Sequence, residues 1–252
     1  MKIVNNTDEK IIFSGEIEES LANAVRRSIS EVPTIAVDEV TFYRNDSALY
    51  DEMIAHRIGL IPIANKKLED IKECACKGKG CGKCTVEIKL VAKGPKTVYS
   101  GELKGDVEII YDKMPIVILT EGQEIELVAH VRQGIGKDHV KFSPGIAYYR
   151  HVAEIEIGKD CKDCKDCVKA CPHGVLIEEK GDIKVGDVYK CDLCDACVEA
   201  CKRHGKDAIK VKQGKELMFF VESYGSMPAK NILQEAIKVL NSNLEQVRKE
   251  VK

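Results

Sequence analysis

The sequence predicts an α+β fold, and three observations support this prediction. Apolar residues recur at helical spacing near both ends of the chain, in residues 18–32 and 226–249. Between these ends, several short stretches alternate apolar and polar residues, as half-buried strands do. Two runs of four cysteines interrupt the later part of the chain, which indicates a separate metal-binding module. The order predicts a domain assembled from both ends, with a mostly β insertion and a cysteine-rich insertion between them.

Composition and charge limit the classes of protein to which the chain can belong. A hydrophobic share of 44% suits a folded chain with a sizeable core. The formal net charge of −2 gives no support for nucleic-acid binding, so we expect little or no direct contact with nucleic acid. The polar N-terminus has no signal-peptide core, and no apolar run approaches the ~18 residues of a membrane span. We therefore expect a cytoplasmic protein whose twelve cysteines stay reduced and bind metal.

The first part of the chain predicts a strand, a helix and a second strand. Residues 10–16 form the first strand, and residues 18–32 form an amphipathic helix that Pro33 ends. The second strand alternates apolar side chains but is interrupted by two acidic residues; its members are Ile35, Val37, Asp38, Glu39, Val40 and Phe42.

A second helix follows this strand. Asp46 or Ser47 is a suitable N-cap, and Asp51 and Glu52 lie early in the helix, where the helix dipole favours acidic side chains. Gly59 is expected to end it, as glycine commonly does at a helix C-terminus.

Three blocks of sequence carry a resemblance to a known family. They are ANAVRRSISEVPTIAVDEV at residues 22–40, DEMIAHRIGLIPI at residues 51–63, and GKDHVKFSP at residues 136–144. These blocks resemble the D-type assembly subunit of archaeal DNA-directed RNA polymerase, which is similar to the third-largest subunit of eukaryotic RNA polymerase II and, more distantly, to the bacterial α subunit.

The resemblance implies a non-catalytic assembly subunit. Members of that family form a heterodimer with a small α-like partner of the L type, and the pair docks the two large catalytic subunits, which carry out nucleotide addition. From the residues alone, Arg26 and Arg27 indicate a solvated helix face, and His56 and Arg57 indicate a structural pair. The resemblance instead favours intersubunit contacts for all four residues. We find no arrangement of base, nucleophile and orienting group that would indicate catalysis.

The first group of cysteines predicts a zinc site. Cys74, Cys76, Cys81 and Cys84 lie in one short glycine-rich loop. Four thiolates at this spacing suit tetrahedral zinc, whose structural sites are often all-cysteine. A reduced loop without metal is the alternative, and an iron–sulfur cluster is disfavoured because the ligands are cramped. The eukaryotic relatives carry a similar four-cysteine zinc loop at this place.

The middle of the chain predicts a mostly β insertion. Its strands are expected at residues 86–92, 106–111, 115–119 and 124–131, separated by Gly, Pro, Asp and Lys. A further strand is expected at residues 153–157.

The second and third groups of cysteines carry the strongest chemical signal. Both runs have the spacing C-x2-C-x2-C-x3-C of bacterial ferredoxins, in which the fourth cysteine of each run ligates the other cluster. One [4Fe–4S] cluster is therefore assigned to Cys161, Cys164, Cys167 and Cys201. The other is assigned to Cys191, Cys194, Cys197 and Cys171. Zinc in both runs is the alternative, and Lys202 stands where a proline would follow the second run.

The last part of the chain predicts strands and a long helix. Strands are expected at residues 175–178, 207–212 and 216–223, and Ser226 is expected to cap a helix that reaches about Lys249. A heptad-like apolar seam runs along this helix through Leu233, Ile237, Leu240, Leu244, Val247 and Val251. Such a seam favours a partner helix from another chain, although packing within the chain is the alternative.

These inferences divide the chain into three predicted domains. Residues 1–40, 146–157 and 214–252 form the dimerisation domain, residues 41–145 the β insertion with the zinc loop at 74–84, and residues 158–213 the ferredoxin-like domain.

Two other functions compete with polymerase assembly. The cysteine runs alone would favour a ferredoxin-type electron-transfer subunit of an oxidoreductase. Residues 18–63 and the heptad helix argue against this function, because an isolated ferredoxin needs neither. A zinc-loop nucleic-acid binder is weakly supported, since the chain has no basic stripe.

The cysteine spacings lead to a prediction about metal content. Protein purified without oxygen should contain about eight iron and eight sulfide ions, with about one zinc ion per chain. Elemental analysis and an acid-labile sulfide assay test this. Zinc in all three groups, with no labile sulfide, would contradict it.

Overall fold

A computed structural model of the chain describes residues 1–65, 81, 84–158, 161, 164–205 and 207–251, which form two compact units. The first unit comprises Met1–Asn5, Ile12–Ala22 and Tyr148–Phe220. The second comprises Asn6–Ile11, Asn23–Ala147 and Val221–Lys252. The predicted mixture of helices and strands is confirmed. Among the described residues, no helix combines the length and apolar composition needed to cross a membrane.

The described residues form twelve strands and five helices. The strands are β1 Lys2–Asn6, β2 Lys10–Gly15, β3 Pro33–Asn45, β4 Val86–Lys93, β5 Lys96–Tyr99, β6 Lys104–Gly105, β7 Pro115–Leu119, β8 Glu124–Ile135, β9 Gly145–Ile157, β10 Leu176–Glu179, β11 Asp182–Val185 and β12 Ile209–Ser223. The helices are α1 Glu19–Ser28, α2 Asp51–Gly59, α3 Asp166–Ala170, α4 Ala196–Arg203 and α5 Ala229–Glu250. Short 3-10 turns lie at Ile29–Glu31, Ser100–Glu102, Val140–Phe142 and Val188–Lys190.

A four-stranded sheet of order β1-β2-β12-β9 supplies the framework of the first unit. Phe219 of β12 stacks on Phe13 and Tyr149, with ring centroids 5.4 and 6.2 Å apart. The sequence predicts two strands where β12 is one, and this prediction is wrong. A glycine at position 214 suggests a turn between two strands. In the structure Gly214 is buried within one strand, where a Cβ atom would come within 2.7 Å of the Val152 carbonyl oxygen.

The second unit is built on a sheet of order β3-β8-β4-β6. The alternation of β4 is confirmed, since Ile88, Leu90 and Ala92 are buried between exposed neighbours. These side chains pack with Leu127 of β8 and Ile58 of α2 in one apolar core. The largest apolar cluster among the described residues therefore lies beneath α2 and fixes the position of that helix.

Residues 33–45 form a single strand with two shifts of register, the second of which lies between Phe42 and Arg44. The pairing of β3 with β8 shifts register between Val37 and Glu39, so Asp38 is the extra residue. The predicted interruption of the strand is thus a bulge.

The first two helices differ from their predicted limits. α1 ends at Ser28, whose hydroxyl donates to the Ala24 carbonyl oxygen at 2.9 Å, and a 3-10 turn replaces the expected last helical turn. α2 ends at Gly59 as predicted but begins at Asp51. Ser47 does not cap it, because its hydroxyl donates to Asn45 Oδ1 at 2.6 Å within the preceding turn.

Two further predictions are wrong. Residues 106–111 contain a single bridge, between Ile63 and Ile109, instead of a strand. The last helix, α5, begins at Ala229 and is not capped by Ser226. The Ala229 amide donates to the Asp8 carbonyl oxygen at 2.7 Å, so backbone from the N-terminal region satisfies the start of the helix.

The close approach of β9 to β12 leads to a prediction about stability. At Gly145 a Cβ atom would lie 2.2 Å from the Glu222 carbonyl oxygen and 3.1 Å from Ile232 Cδ1. Gly145→Ala should lower the free energy of unfolding by about 1–3 kcal/mol, because backbone must move to make room.

Gly59→Ala is the matched control. Its Cβ atom would meet the Val37 carbonyl oxygen at an ordinary 3.6 Å. Since alanine favours helix over glycine, stability should be unchanged or raised by about 0.5–1 kcal/mol. Urea unfolding followed by circular dichroism tests both variants. Equal unfolding midpoints for Gly145→Ala and Gly59→Ala would contradict the prediction that the close approach at Gly145 excludes a side chain.

Candidate functional site

The eight cysteines of the two runs belong to the first unit, and four of them pack into one small apolar core. Cys167 and Cys201 are buried with Leu176, Ala208 and Ile209. Cys161 and Cys197 are partly buried against the same cluster. Thiol sulfurs therefore form part of the core of this module, and its packing depends on what the sulfurs bind.

Three cysteines of the first run lie close together. Burial, together with the nearby thiols of Cys161 and Cys164, raises the pKa of Cys167 to about 11. The backbone amide of Val168, at the start of α3, donates to the Cys167 sulfur and opposes this shift. Without a cation Cys167 is a neutral thiol, and binding of a metal would release its proton.

The second set brings together cysteines from both runs. Burial raises the pKa of Cys197, and the thiols of Cys171 and Cys191 add to the shift. Cys171 comes from the first run, so thiols of both runs lie near one another at this set. The amide of Val175 donates to the Cys171 sulfur at 3.3 Å. This proximity supports the crossed assignment of the fourth ligands.

The donor groups fit iron–sulfur clusters. No disulfide joins any of the ten cysteines that the structure describes. Backbone amides point at several of the sulfurs, which stabilises thiolates and the negative charge of a cluster. Leu193 and Asp195 adopt positive φ angles of 64° and 57°, which bend the chain tightly between successive cysteines of the second run.

Two histidine–aspartate pairs flank the cysteines, and the sequence reasoning missed both. His204 Nε2 lies 2.5 Å from Asp166 Oδ2, and His173 Nε2 lies 2.9 Å from Asp192 Oδ2. His204 lowers the pKa of the Asp166 carboxyl group, and the Cys194 thiol and then His173 lower that of Asp192. The available signal was a histidine within three residues of the fourth cysteine of each run.

The predicted zinc loop is only partly described. Cys74 and Cys76 lie outside the described residues. The side chains of Cys81 and Cys84 lie side by side, with their sulfurs 3.7 Å apart. Zinc–sulfur bonds of about 2.3 Å in a tetrahedron place two sulfurs about 3.8 Å apart. The separation of this pair therefore suits two ligands of one zinc ion.

The seam predicted on the last helix faces outward along most of its length. Ile237, Leu244 and Val247 are 42%, 58% and 57% exposed, and Val251, beyond the end of α5, is also exposed. Leu233 and Leu240 are half-buried. The residues that α5 buries within the chain lie on a neighbouring face, formed by Ala229, Ile232 and Ala236.

The predicted polar interface residues lie at the ends of two helices. Arg26 and Arg27 are exposed in the last turn of α1, and Arg26 donates to Asn23 Oδ1 at 2.9 Å. His56 and Arg57 are exposed in the last turn of α2. Arg57 donates to the Ile116 carbonyl oxygen at 2.8 Å, so its guanidinium is fixed against strand β7.

An ion-pair network at the β3 bulge was also missed by the sequence reasoning. Lys141 Nζ lies 2.6 Å from Asp38 Oδ1, and Arg132 contacts both Asp38 and Glu39. Burial alone would raise the pKa of Asp38, but the pairs with Lys141 and Arg132 outweigh it and lower the pKa. Asp38 and Lys141, together with His56, line a cavity of about 190 Å³ at the surface of α2.

Two protein families match separate parts of the chain. Residues 35–145 match the RNA polymerase Rpb3/RpoA insert domain. Residues 154–202, which include all eight cysteines of the two runs, match the 4Fe-4S dicluster domain.

Proteins named DNA-directed RNA polymerase subunit Rpo3 are similar to the chain over nearly its full length. The protein of Archaeoglobus fulgidus is 35% identical over 257 aligned residues, covering 99% of this chain and 96% of the relative. That of Methanothermobacter thermautotrophicus is 38% identical over 253 residues, covering 96% and 94%. That of Thermococcus kodakarensis is 38% identical over 236 residues, covering 92% and 88%.

Proposed function

Because this chain belongs to the family of DNA-directed RNA polymerase subunit Rpo3, we propose that it is a non-catalytic assembly subunit of an archaeal RNA polymerase. In this proposal it pairs with a small α-like subunit of the L type, and the heterodimer docks the large catalytic subunits. Nucleotide addition belongs to those large subunits. The observation that carries the proposal is the outward-facing apolar seam on α5.

The α5 seam has the geometry of a helix-on-helix contact. At 3.6 residues per turn, its apolar residues lie within about 40° of one line, and the residues buried within the chain lie about 40–100° to one side of that line. Asn243 Nδ2 donates to Glu31 Oε2 at 2.9 Å and fixes α5 against the 3-10 turn at Ile29–Glu31. The helix is therefore oriented by one face while the seam remains available to the small subunit.

The predicted domain division fits this function. The dimerisation domain comprises residues 1–40, 146–157 and 214–252, the β insertion comprises 41–145, and the ferredoxin-like domain comprises 158–213. Strand β12 runs unbroken across the boundary between residues 213 and 214, so the ferredoxin-like domain and the dimerisation domain share one strand. We assign Arg26 and Arg27, and His56 and Arg57, to contacts with other polymerase subunits.

The cysteine runs are proposed to hold two [4Fe–4S] clusters, and the loop that contains Cys81 and Cys84 is proposed to hold one Zn²⁺. When bound, the clusters supply soft cationic centres that the cysteine thiolates can ligate. The residues of this chain bury the ligands, direct amides at the sulfurs and exclude water from Cys167 and Cys201. The clusters serve to hold the module folded, and a reducing cytoplasm would keep the thiols available.

The seam leads to a prediction about the heterodimer. Leu240→Asp should weaken binding of the small subunit by about a hundredfold or more, because a buried unpaired charge costs about 3–5 kcal/mol. Co-expression with the small subunit, followed by size-exclusion chromatography, tests this. The chain expressed alone should self-associate or be poorly soluble, because the seam is then uncovered.

Ser242→Asp is the matched control for this experiment. Ser242 is exposed on the opposite side of α5 from the seam, two residues from Leu240, and the variant adds the same charge. It should leave the heterodimer intact. A stable one-to-one complex with Leu240→Asp would place the interface elsewhere.

A further prediction separates cluster binding from dimerisation. Cys191→Ser combined with Cys197→Ser should remove one cluster and unfold the module, since its small core contains the ligands themselves. Helix α5 belongs to the second unit, so the heterodimer should survive while the yield of complete polymerase falls.

Anaerobic reconstitution with size exclusion at both stages tests this prediction. Loss of the heterodimer would show that the module belongs to the dimer core. Normal assembly with an altered electron-transfer activity would favour the ferredoxin function instead.

A further inference from the structure

We propose that the two histidine–aspartate pairs are latches, each of which holds the fourth cysteine of one cluster against the other three. The inference rests on the proposed clusters and concerns His204 with Asp166 and His173 with Asp192. In this role the four side chains are positioning residues.

The first latch joins the two ends of the first ligand set. Asp166 lies between Cys164 and Cys167, and His204 follows Cys201 by three residues. The 2.5 Å contact between their side chains spans 38 residues of sequence. The ligand atoms of Cys164, Asp166 and His204 all lie within 4.8 Å of one another, so the pair sits directly beside the ligands.

The second latch repeats this arrangement at the second ligand set. Asp192 directly follows Cys191, and His173 follows Cys171 by two residues. Their side chains are 2.9 Å apart and 19 residues apart in sequence. Asp192 also accepts a hydrogen bond from the Cys194 amide at 3.3 Å, which fixes the carboxylate on the three-cysteine loop.

The crossed arrangement of ligands explains why such latches are needed. In each set three ligands come from one short loop, and the fourth comes from the other run. When the fourth sulfur–iron bond breaks, the cluster no longer joins these two segments through that ligand. A latch keeps the fourth cysteine near its site, so that the bond reforms before the cluster is lost.

The two pairs arise from different sequence positions. The histidine follows the fourth cysteine by three residues in one set and by two in the other, and the aspartate lies after the second cysteine in one loop and after the first in the other. The same connection is therefore made by two different local arrangements. The repetition of the cysteine spacing therefore does not by itself account for both histidine–aspartate pairs.

The test uses full-length, cluster-loaded protein and compares His204→Ala with His173→Ala. Each variant is treated with an iron chelator without oxygen, and loss of the visible iron–sulfur absorbance is followed over time. Each should release about half of its absorbance roughly two- to fivefold faster than the wild type, the range allowed for half-exposed ion pairs. The other half should decay at the wild-type rate.

Two kinds of control accompany these variants. His204→Gln and His173→Gln keep a side-chain N–H donor for the aspartate and should restore most of the wild-type rate. Lys184→Ala removes a somewhat more exposed ion pair, with Glu179 at 2.7 Å, from the β10–β11 hairpin of the same module. It should not change the rate of cluster loss.

Several outcomes would overturn the latches. Equal acceleration of both halves would show general loosening of the module, and unchanged rates would show that the pairs do not hold the ligands. An altered electron paramagnetic resonance spectrum of the freshly loaded, reduced His204→Ala protein would make His204 an iron ligand instead. Wild-type protein without iron and sulfide would overturn the cofactor assignment and the latches with it, whereas loaded variants that decay like wild type would overturn the latches alone.

Discussion

The unbroken course of strand β12 is the constraint on which the first unit depends. Ile209 at its beginning is fully buried in the core that contains the cysteines. Ten residues later, Phe219 stacks on Phe13 and Tyr149 in the sheet. Gly214 lies between them because a side chain there would collide with the carbonyl of Val152. A single rigid element thus links the packing of the sulfur ligands to the packing of the sheet.

The segment between the two cysteine runs strengthens this connection. The turn Val188–Lys190 immediately precedes Cys191 and packs through Val188 and Tyr189 against Met218 and Phe220 of the sheet. Arg150 donates to the Tyr189 carbonyl oxygen at 2.7 Å. The second ligand loop therefore starts from a point fixed on the sheet. Order in the sheet therefore positions that loop.

Sequence reasoning succeeded where one local pattern has one physical cause. Strand β4 is predictable because its alternation reflects burial on one face, and the cysteine runs are recognisable because their spacing is local. It failed where a residue type has two uses, as at Gly214, because glycine occurs both in turns and where two backbones approach closely. It also failed for contacts distant in sequence. The interruption of the strand's apolar alternation at Asp38 can be seen in the sequence. Its ion-pair partner Lys141 lies 103 residues away, and no local pattern connects the two residues.

The far end of α5 shows how folding and assembly are connected in this chain. Among the described residues, Asn243 makes the last hydrogen bond from a side chain of α5 to another element, and every residue from 244 to 250 is exposed. Seven residues extend the helix by about 10 Å beyond that contact. A helical segment of two turns is marginal in water unless an apolar face is covered. Leu244 and Val247 supply that face, so a partner helix would stabilise this end of α5 as it binds. The proposed heterodimer would then complete the fold of this chain and present an ordered surface to the remaining subunits.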